Sequence, residues 1–314
     1  MNLYPLKFEP IYQYRLWGGR RFAGLLTAPL PGDGPIGEAW ILSDRDDHPS
    51  RVTNGALHGQ TIGQVLAQFP EQVLGKLAGR FPRFPLLLKF LDAKEMLSVQ
   101  VHPPGAGGKT EAWVVLEAGP KSRICSGLKP GATEAGLRNA IRSGLVADQL
   151  ACFTPKPGDA VFTPGGMVHS LGDDIVVFEV QQNSDVTYRL YDWNHVDAKT
   201  GKARPLQVEE AIASIDFEHS TGGVVTPVAV TATPVCRQRL FDCAYFRVWR
   251  LRGETPFTVG APQSPRVLVC VEGSGIVGLV PVVRGDVVLL PAALGTCTFE
   301  PRGEVTVLEI EIPE

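Results

Sequence analysis

The sequence lacks the features that mark several large classes of protein. Its six cysteines are scattered and form no CxxC pair, so a metal–thiolate cluster and a small-domain disulfide framework are not expected. It also has no run of Lys and Arg that would follow nucleic acid phosphates, and the formal net charge is -3. We therefore expect buried apolar thiols and no nucleic-acid partner.

Long uninterrupted apolar runs are also missing. The most apolar segment, 267–283, contains Glu272, Pro281 and three glycines, so it predicts a pair of strands rather than a membrane helix. Near the start, Pro5 and Lys7 interrupt the apolar stretch that a signal peptide would need. These absences predict a cytoplasmic protein with no membrane partner.

Short apolar runs rich in β-prone residues are abundant instead. A chain of 314 residues with 34 Gly and 26 Pro suits two domains built from many short strands. The predicted fold class is therefore mainly β. The predicted strands are 97–101, 112–116, 160–163, 175–181, 266–271, 287–290 and 305–310.

Three segments have helical rather than strand periodicity. Apolar residues recur at helical spacing in 60–77, 133–150 and 206–215. Pro70 falls in the middle of the first segment and is expected to split or end a helix there. The β units therefore carry helical insertions.

An internal repeat suggests two units of the same fold. Residues 158–164 (GDAVFTP) resemble residues 285–291 (GDVVLLP), and a strand with an acidic residue near its end follows each copy. Gly-Asp is a turn signal, and the proline ends strand pairing. The repeat predicts two β-barrel units.

The repeat also predicts the domain boundaries. The first domain is predicted at 1–220 with a helical insertion at about 131–150, and the second at 235–314. The connection, 221–234, is poor in charge and rich in Gly, Thr, Val and Pro.

The first copy of the repeat leads to a histidine. Gly158, Pro164, Gly166 and His169 match the second cupin motif, G-x5-P-x-G-x2-H. In this pattern a turn is followed by a strand whose first residue, the histidine, points into the barrel. Thr296 stands at the equivalent position of the second copy, so the second unit is expected to be metal-free.

A second set of polar residues precedes this motif. Ser98, Gln100 and His102 alternate along one face of a predicted strand, and Glu111 begins the next strand. Together with His169, they provide two imidazoles, a carboxylate and an amide oxygen, a donor set that suits a divalent metal with an open position. The alternative for each histidine alone is a structural, hydrogen-bonded side chain.

Seven ordered segments resemble the type I mannose-6-phosphate isomerases, in their short bacterial branch. The resemblance runs from about residue 5 to residue 217 and is weaker beyond. The segments are 16–19 (LWGG), 37–40 (GEAW), 85–93 (PLLLKFLDA), 98–103 (SVQVHP), 108–113 (GKTEAW), 165–171 (GGMVHSL) and 179–189 (EVQQNSDVTYR).

The resemblance implies two cupin-type jelly-roll units and one Zn²⁺ per chain, other divalent metals also fitting the donors. The implied ligands are His102, Glu111 and His169, with Gln100 as a fourth in many members. It further implies a catalytic arginine at Arg189 and active-site lysines at Lys89 and Lys109. The loop between His102 and Lys109 is shorter than in many relatives, which implies a more open substrate entrance.

The residues themselves suggest roles in such chemistry. A guanidinium at Arg189 can stabilise an oxyanion or hold a phosphate. Lys89 interrupts an apolar run, and a buried lysine requires a partner or a function. Glu179 could be the proton-transferring base or a partner of Arg189. Ser98, Trp17 and Glu38 complete the predicted substrate-binding set together with Lys109 and Arg189.

The sequence thus predicts a metal-dependent isomerase that interconverts D-mannose 6-phosphate and D-fructose 6-phosphate through an enediolate. The predicted partner is a small sugar phosphate, and the chain is expected to be a monomer or a weak homodimer. Three alternatives remain open. They are a non-catalytic sugar-phosphate-binding cupin, an isomerase of a related sugar phosphate, and an iron-dependent oxygenase. The oxygenase usually has two histidines close together in its first motif, whereas Gln100 takes one of those positions here.

Overall fold

The computed structural model describes residues 2–218 and 222–314. Residue 1 and residues 219–221, where the predicted domain boundary and connection meet, lie outside the described residues. No described helix is long and apolar enough to cross a membrane.

Strands dominate the described residues. In the first part of the chain they are β1 (Leu6–Lys7), β2 (Ile11–Gly19), β3 (Ile36–Leu42), β4 (Leu86–Ala93), β5 (Val99–Val101), β6 (Glu111–Ala118), β7 (Arg123–Leu128), β8 (Leu150–Phe153), β9 (Ala160–Thr163), β10 (His169–Gly172), β11 (Ile175–Gln182), β12 (Tyr188–Tyr191), β13 (Val196–Asp197) and β14 (Lys202–Ala203). The later strands are β15 (Val228–Thr231), β16 (Cys236–Asp242), β17 (Arg247–Gly253), β18 (Phe257–Gly260), β19 (Arg266–Glu272), β20 (Ser274–Val277), β21 (Val280–Val283), β22 (Val287–Leu290), β23 (Thr296–Pro301) and β24 (Val305–Glu311). All the predicted strands are present, so the predicted mainly β fold is confirmed.

The α-helices are short and lie between strands. They are α1 (Phe22–Leu25), α2 (Ile62–Gln68), α3 (Pro70–Leu74), α4 (Glu134–Ser143) and α5 (Val208–Ser214). Pro70 is the first residue of α3, which confirms the predicted break, because proline fits a first helical turn but not an interior one. A capping box formed by Thr61 and Gln64 begins α2, and Gly144, with a φ of 73°, ends α4.

The sheets form two sandwiches. The first pairs a six-stranded sheet, ordered β2-β3-β4-β11-β6-β9, with a five-stranded sheet, ordered β12-β5-β10-β7-β8. The second pairs a seven-stranded sheet, ordered β1-β22-β19-β24-β17-β16-β15, with a four-stranded sheet, ordered β18-β23-β20-β21. The predicted jelly-roll units are thus present, although their described sheets are open sandwiches rather than closed barrels.

The two sandwiches share an extensive apolar core. One buried cluster joins Phe90 and Phe178 of the six-stranded sheet to Val267 and Leu308 of the seven-stranded sheet. In addition, β1 pairs with β22, so the start of the chain is hydrogen-bonded to the C-terminal sheet. Burial of this interface stabilises both units, because apolar area removed from water contributes about 25 cal/mol per Å².

The cysteines differ from the prediction. Cys125 on β7 and Cys152 on β8 are joined by a disulfide, so the expectation that all six cysteines are free thiols is wrong. The two residues face each other across neighbouring strands, a proximity that their 27-residue sequence separation does not reveal. Cys236, Cys243, Cys270 and Cys297 are free.

Candidate metal centre and active-site cavity

A row of polar residues crosses the inner face of the six-stranded sheet. Trp40, Lys89, Glu179 and Trp113 lie side by side on β3, β4, β11 and β6, because strand pairing places each opposite the next. Their neighbours along each strand point to the opposite face and enter the apolar core between the sandwiches. Strand register therefore brings together side chains that are far apart in the sequence.

A second row crosses the five-stranded sheet. Gln100 on β5 pairs with His169 on β10 on one side and with Arg189 on β12 on the other. The two sheets pack against each other through a buried cluster that includes Leu91 and Leu171. Both rows therefore face the space between the two sheets of the first sandwich.

Three side chains converge between these rows. The ligand atoms of His102, Glu111 and His169 all lie within 4.8 Å of one another, and each residue is about 1% exposed. The Nε2 atoms of both histidines lie 3.3 Å from carboxylate oxygens of Glu111. These are three of the four residues at which the sequence predicted a metal site, and their arrangement can hold a metal ion.

The hydrogen bonds of the histidines fit a metal. Nδ1 of His102 lies 2.8 Å from the carbonyl oxygen of Val186, and Nδ1 of His169 lies 2.8 Å from that of Met167. Each Nδ1–H is thus used by a backbone acceptor, which leaves the Nε2 lone pairs directed at Glu111. Two neutral imidazoles and one carboxylate are a donor set that zinc and similar divalent ions take.

Electrostatics keeps these groups in the required protonation states. Burial, helped by the nearby Lys109, lowers the pKa of His102 to about 3, and burial also lowers the pKa of His169. Burial would raise the pKa of Glu111, but Lys109 and the two histidines hold it well below its ordinary value. The centre is therefore ready to bind a cation without first losing protons.

Gln100 lies beside the centre, but the nitrogen of its amide faces the centre and the oxygen does not. Its Nε2 is 3.1 Å from Nε2 of His169, while its Oε1 accepts a hydrogen bond from Ser98 Oγ at 3.3 Å. A half-turn of the amide would exchange its nitrogen and oxygen and so direct the oxygen at the centre.

Two lysines connect the centre to a second carboxylate. Nζ of Lys109 lies 2.8 Å from Glu111 and 3.8 Å from Glu179, and Nζ of Lys89 lies 3.1 Å from Glu179. The other oxygen of Glu179 accepts a hydrogen bond from Trp113 at 2.8 Å. The sequence left open whether Glu179 is a base or a partner of Arg189. The pairing with Arg189 is wrong, because the ion-pair partners of Glu179 are these two lysines.

Glu38 extends this charged network. It accepts hydrogen bonds from Arg15 Nε at 3.0 Å and Trp40 Nε1 at 2.7 Å, and lies 3.7 Å from Nζ of Lys89. Burial raises the pKa of Glu38, but Lys89 and Arg15 outweigh that effect and hold it well below its usual range. Burial lowers the pKa of Lys89, but the carboxylates of Glu179 and Glu38 outweigh that effect and raise it. The Lys89 ammonium therefore stays charged.

A cavity of about 430 Å³ opens onto these groups. Its wall contains most of the residues that the sequence predicted, namely Trp17, Glu38, Lys89, Ser98, Gln100, Lys109, Glu111, His169, Glu179 and Arg189. His102 adjoins the wall through Lys109, whose Nζ lies 3.2 Å from its Nε2. The volume is within the range of ordinary small-molecule sites.

Sequence reasoning missed Arg15 and Arg204, which also line the cavity. Arg15 directly precedes the conspicuous segment 16–19, which was a usable signal. Arg204 follows β14 and is held by a bidentate ion pair with Asp192, a pairing that no sequence pattern marks.

Arg189 stands close to this second guanidinium. Its Nη1 donates to the carbonyl oxygen of Pro205 at 2.9 Å, whereas its buried Nε has no hydrogen-bond partner among the described residues. Burial lowers the pKa of Arg189, and the positive charges of Arg204 and Arg15 lower it further. Neighbouring guanidiniums at a cavity wall suit an anionic ligand.

Comparison with known proteins identifies the family. Residues 5–121 match the family model described as phosphomannose isomerase type I, catalytic domain. The chain is 35% identical to the mannose-6-phosphate isomerase ManA of Bacillus subtilis (strain 168) over 329 residues, covering 98% of this chain and 99% of that protein.

Solved structures agree with this. A crystal structure of the mannose 6-phosphate isomerase from Bacillus subtilis has a TM-score of 0.88 at 29% identity, covering 98% of this chain and 99% of that one. A mannose 6-phosphate isomerase bound with zinc and yttrium has a TM-score of 0.75 over 99% of this chain and 100% of that one. Its identity is 16%, so this second likeness shows the fold alone.

The motif segments, the buried His102–Glu111–His169 metal site and the similarity to ManA along nearly the whole chain agree with one another. This chain belongs to the type I phosphomannose isomerase family.

Proposed function

We propose that this chain interconverts D-mannose 6-phosphate and D-fructose 6-phosphate. The observation that carries the proposal is the pair of facing rows in the first sandwich. One cavity presents the metal centre, the buried Lys89–Glu179 pair and the Arg189 guanidinium together. An aldose–ketose isomerisation needs these three elements, since it must polarise a sugar oxygen, move a carbon-bound proton and hold a phosphate.

We propose one Zn²⁺ per chain, held by His102, Glu111 and His169, with Gln100 as a fourth ligand once its amide turns. A divalent metal at this position would act as a Lewis acid on the sugar oxygens. Zinc fits two imidazoles and a carboxylate, and manganese or cobalt would fit the same donors. We propose that the second unit holds no metal, because Thr296 stands where the first unit has His169.

Glu179 is the proposed base. It would take the proton from C2 of open-chain mannose 6-phosphate and return it to C1 of the enediolate, while a proton passes from O2 to O1, which gives the ketose. Burial raises the pKa of Glu179, and the nearby Glu111 raises it further. A raised pKa makes a carboxylate a stronger base near neutral pH.

The cations around Glu179 have complementary roles. Lys89 and Lys109 contact its carboxylate and can stabilise negative charge that develops on the sugar. Arg189 would stabilise the enediolate oxygen or hold the phosphate, and Arg204 beside it favours the phosphate end of the cavity. Ser98, Trp17 and Glu38 would form the remaining substrate contacts.

A coupled assay for fructose 6-phosphate formed from mannose 6-phosphate, with and without prior chelation, tests this function. We expect turnover that chelation abolishes and that one equivalent of Zn²⁺ restores. Absence of turnover with one metal ion bound per chain would instead favour the non-catalytic binding protein. Turnover of another sugar phosphate alone would favour the related isomerase.

Three further points belong to the proposal. The chain divides into domains at 1–220 and 235–314, it is a monomer or a weak homodimer, and it is located in the cytoplasm. The cytoplasmic location is supported by the metabolic substrate. The Cys125–Cys152 disulfide is unusual for that compartment, where thiols are normally kept reduced. Light scattering would test the assembly state, and thiol titration of protein from the cell would test the state of the cysteines.

A further inference from the structure

A second cleft shares the lining residue Asp185 with the active-site cavity and has no part in the proposed reaction. We define the second cleft by Arg80, Phe81, Arg83, Gly107, Val186 and Tyr245. Its volume is about 740 Å³, compared with about 430 Å³ for the active-site cavity. It lies where the loop after β5, the loop after β11 and the C-terminal sandwich meet.

Three guanidiniums line the second cleft. Arg45, Arg80 and Arg83 line it, and Asp185 is the one acidic residue among its described lining residues. Asp46 holds Arg83 through both carboxylate oxygens, at 2.8 and 2.9 Å, and Asp47 lies 3.9 Å from Arg45. Both carboxylates are largely exposed, so an anionic ligand can compete with them for the guanidiniums. Arg80 has no carboxylate partner among the described residues. An anionic ligand therefore fits this wall.

Aromatic rings and an exposed loop make the second cleft suitable for a ligand with a planar ring. Phe81 and Tyr245 are half-buried in the wall, and the Arg80 guanidinium lies 5.5 Å from the centroid of the Phe81 ring. Exposed Gly107, which has no side chain, lets a ligand approach the backbone. A planar ring can stack on the aromatic residues while guanidiniums bind phosphate oxygens.

We propose that the second cleft binds a nucleoside diphosphate. The base would lie against Phe81 and Tyr245, and the diphosphate would lie against Arg80 and Arg83. The volume accommodates a ligand of this size. This site is separate from the sugar-phosphate cavity and does not depend on the proposed isomerase activity.

The wall between the two cavities couples the second cleft to the metal centre. Asp185 lines both cavities, and the carbonyl oxygen of Val186 accepts the Nδ1–H of His102 at 2.8 Å. A ligand that holds Val186 in place would fix the orientation of the His102 ring and so strengthen metal binding. This coupling rests on the proposed role of His102 as a metal ligand.

Calorimetric titration of the holoenzyme with ADP, in saturating fructose 6-phosphate, tests the binding site. We expect ADP to bind with a dissociation constant of about 1 mM or lower, and adenosine or pyrophosphate to bind at least about tenfold more weakly. The double variant Arg80→Ala/Arg83→Ala should lose at least about tenfold in ADP affinity. Arg252→Ala, which removes another exposed, ion-paired arginine, should bind ADP as the parent does.

Three results would overturn the binding site. They are no saturable binding at millimolar ADP, binding that fructose 6-phosphate abolishes, or binding that the double variant leaves unchanged. Because alanine at Arg80 and Arg83 could alter the local fold, Tyr245→Leu provides a second variant that removes the stacking ring and keeps the charge. It should also weaken ADP binding, and unchanged affinity would contradict the assigned position of the base.

Metal loss to a chelator tests the coupling separately. ADP itself binds divalent metals, so the comparison is between the parent and the double variant at the same ADP concentration. We expect the parent to lose its metal at least about threefold more slowly than the variant when ADP is present, and equally fast without it. If the parent and the double variant lose metal at equal rates both with and without ADP, the coupling is overturned, but the ADP-binding site is not.

Discussion

Lys89 and Glu179 face each other across β4 and β11, with 3.1 Å between Nζ and Oε1. Both side chains are almost completely buried, and Glu38 lies on the other side of the ammonium at 3.7 Å. Charges taken out of water are tolerated only when they are paired and hydrogen-bonded. The pair is therefore both a structural requirement of the first sandwich and a part of its active-site cavity.

Lys89→Met should destabilise the protein strongly. It would leave Glu38 and Glu179 buried without their shared cation, and breaking a buried pair costs about 3–5 kcal/mol. Urea unfolding of the metal-loaded protein measures this. Lys76→Met removes an exposed lysine paired with the exposed Glu314, and should change the free energy of unfolding by less than about 0.5 kcal/mol. Equal stability of the two variants would contradict a charged, buried Lys89.

His169→Ala should lose the metal and with it most of the turnover. Its Nε2 is one of the convergent ligand atoms, and Lewis-acid assistance is worth several kcal/mol, or about 10³-fold in rate. Metal analysis of the purified variant and the coupled assay measure the two effects. His58→Ala, at an exposed histidine, is the control and should keep one metal ion per chain. A metal-free variant with full activity would refute the ligand assignment.

Arg189→Ala should keep the metal and lose activity. The guanidinium lines the cavity but is not among the three convergent ligands, so metal content should stay at one per chain. A fall in kcat with little change in KM would mean that Arg189 acts on the transition state. A raised KM with kcat retained would show that it anchors the phosphate instead.

Glu309→Gln should reveal a pH-dependent contribution to stability in the second sandwich. Burial raises the pKa of Glu309, despite hydrogen bonds from Gly260 N at 2.7 Å and Arg237 at 3.2 Å. The folded protein thus binds this proton more tightly than the unfolded chain. The resulting stability is present below the ordinary pKa of Glu and is lost as pH rises through the raised value.

Unfolding curves of the parent and Glu309→Gln from about pH 4 upward measure this effect. The stability of the parent relative to the variant should fall as pH rises. A relative stability that rises instead would mean that the hydrogen bonds from Gly260 and Arg237 outweigh burial.

Local sequence patterns were sufficient to predict the strands and the three residues that converge at the candidate metal site. Alternation placed Gln100 and His102 on one face, and the turn residues before His169 fixed where its strand begins. These are effects of near neighbours in the chain, and they depend only on backbone geometry. Pro70 likewise determined a helix break on its own.

Only the tertiary structure decided which distant residues meet. The partner of Glu179 is Lys89 rather than Arg189, because β4 and not β12 lies next to β11 in the sheet. The same holds for the Cys125–Cys152 disulfide and for the approach of Arg204 to the cavity. Strand order and register are set by the burial of whole apolar faces, a cooperative property that no short segment of the sequence contains.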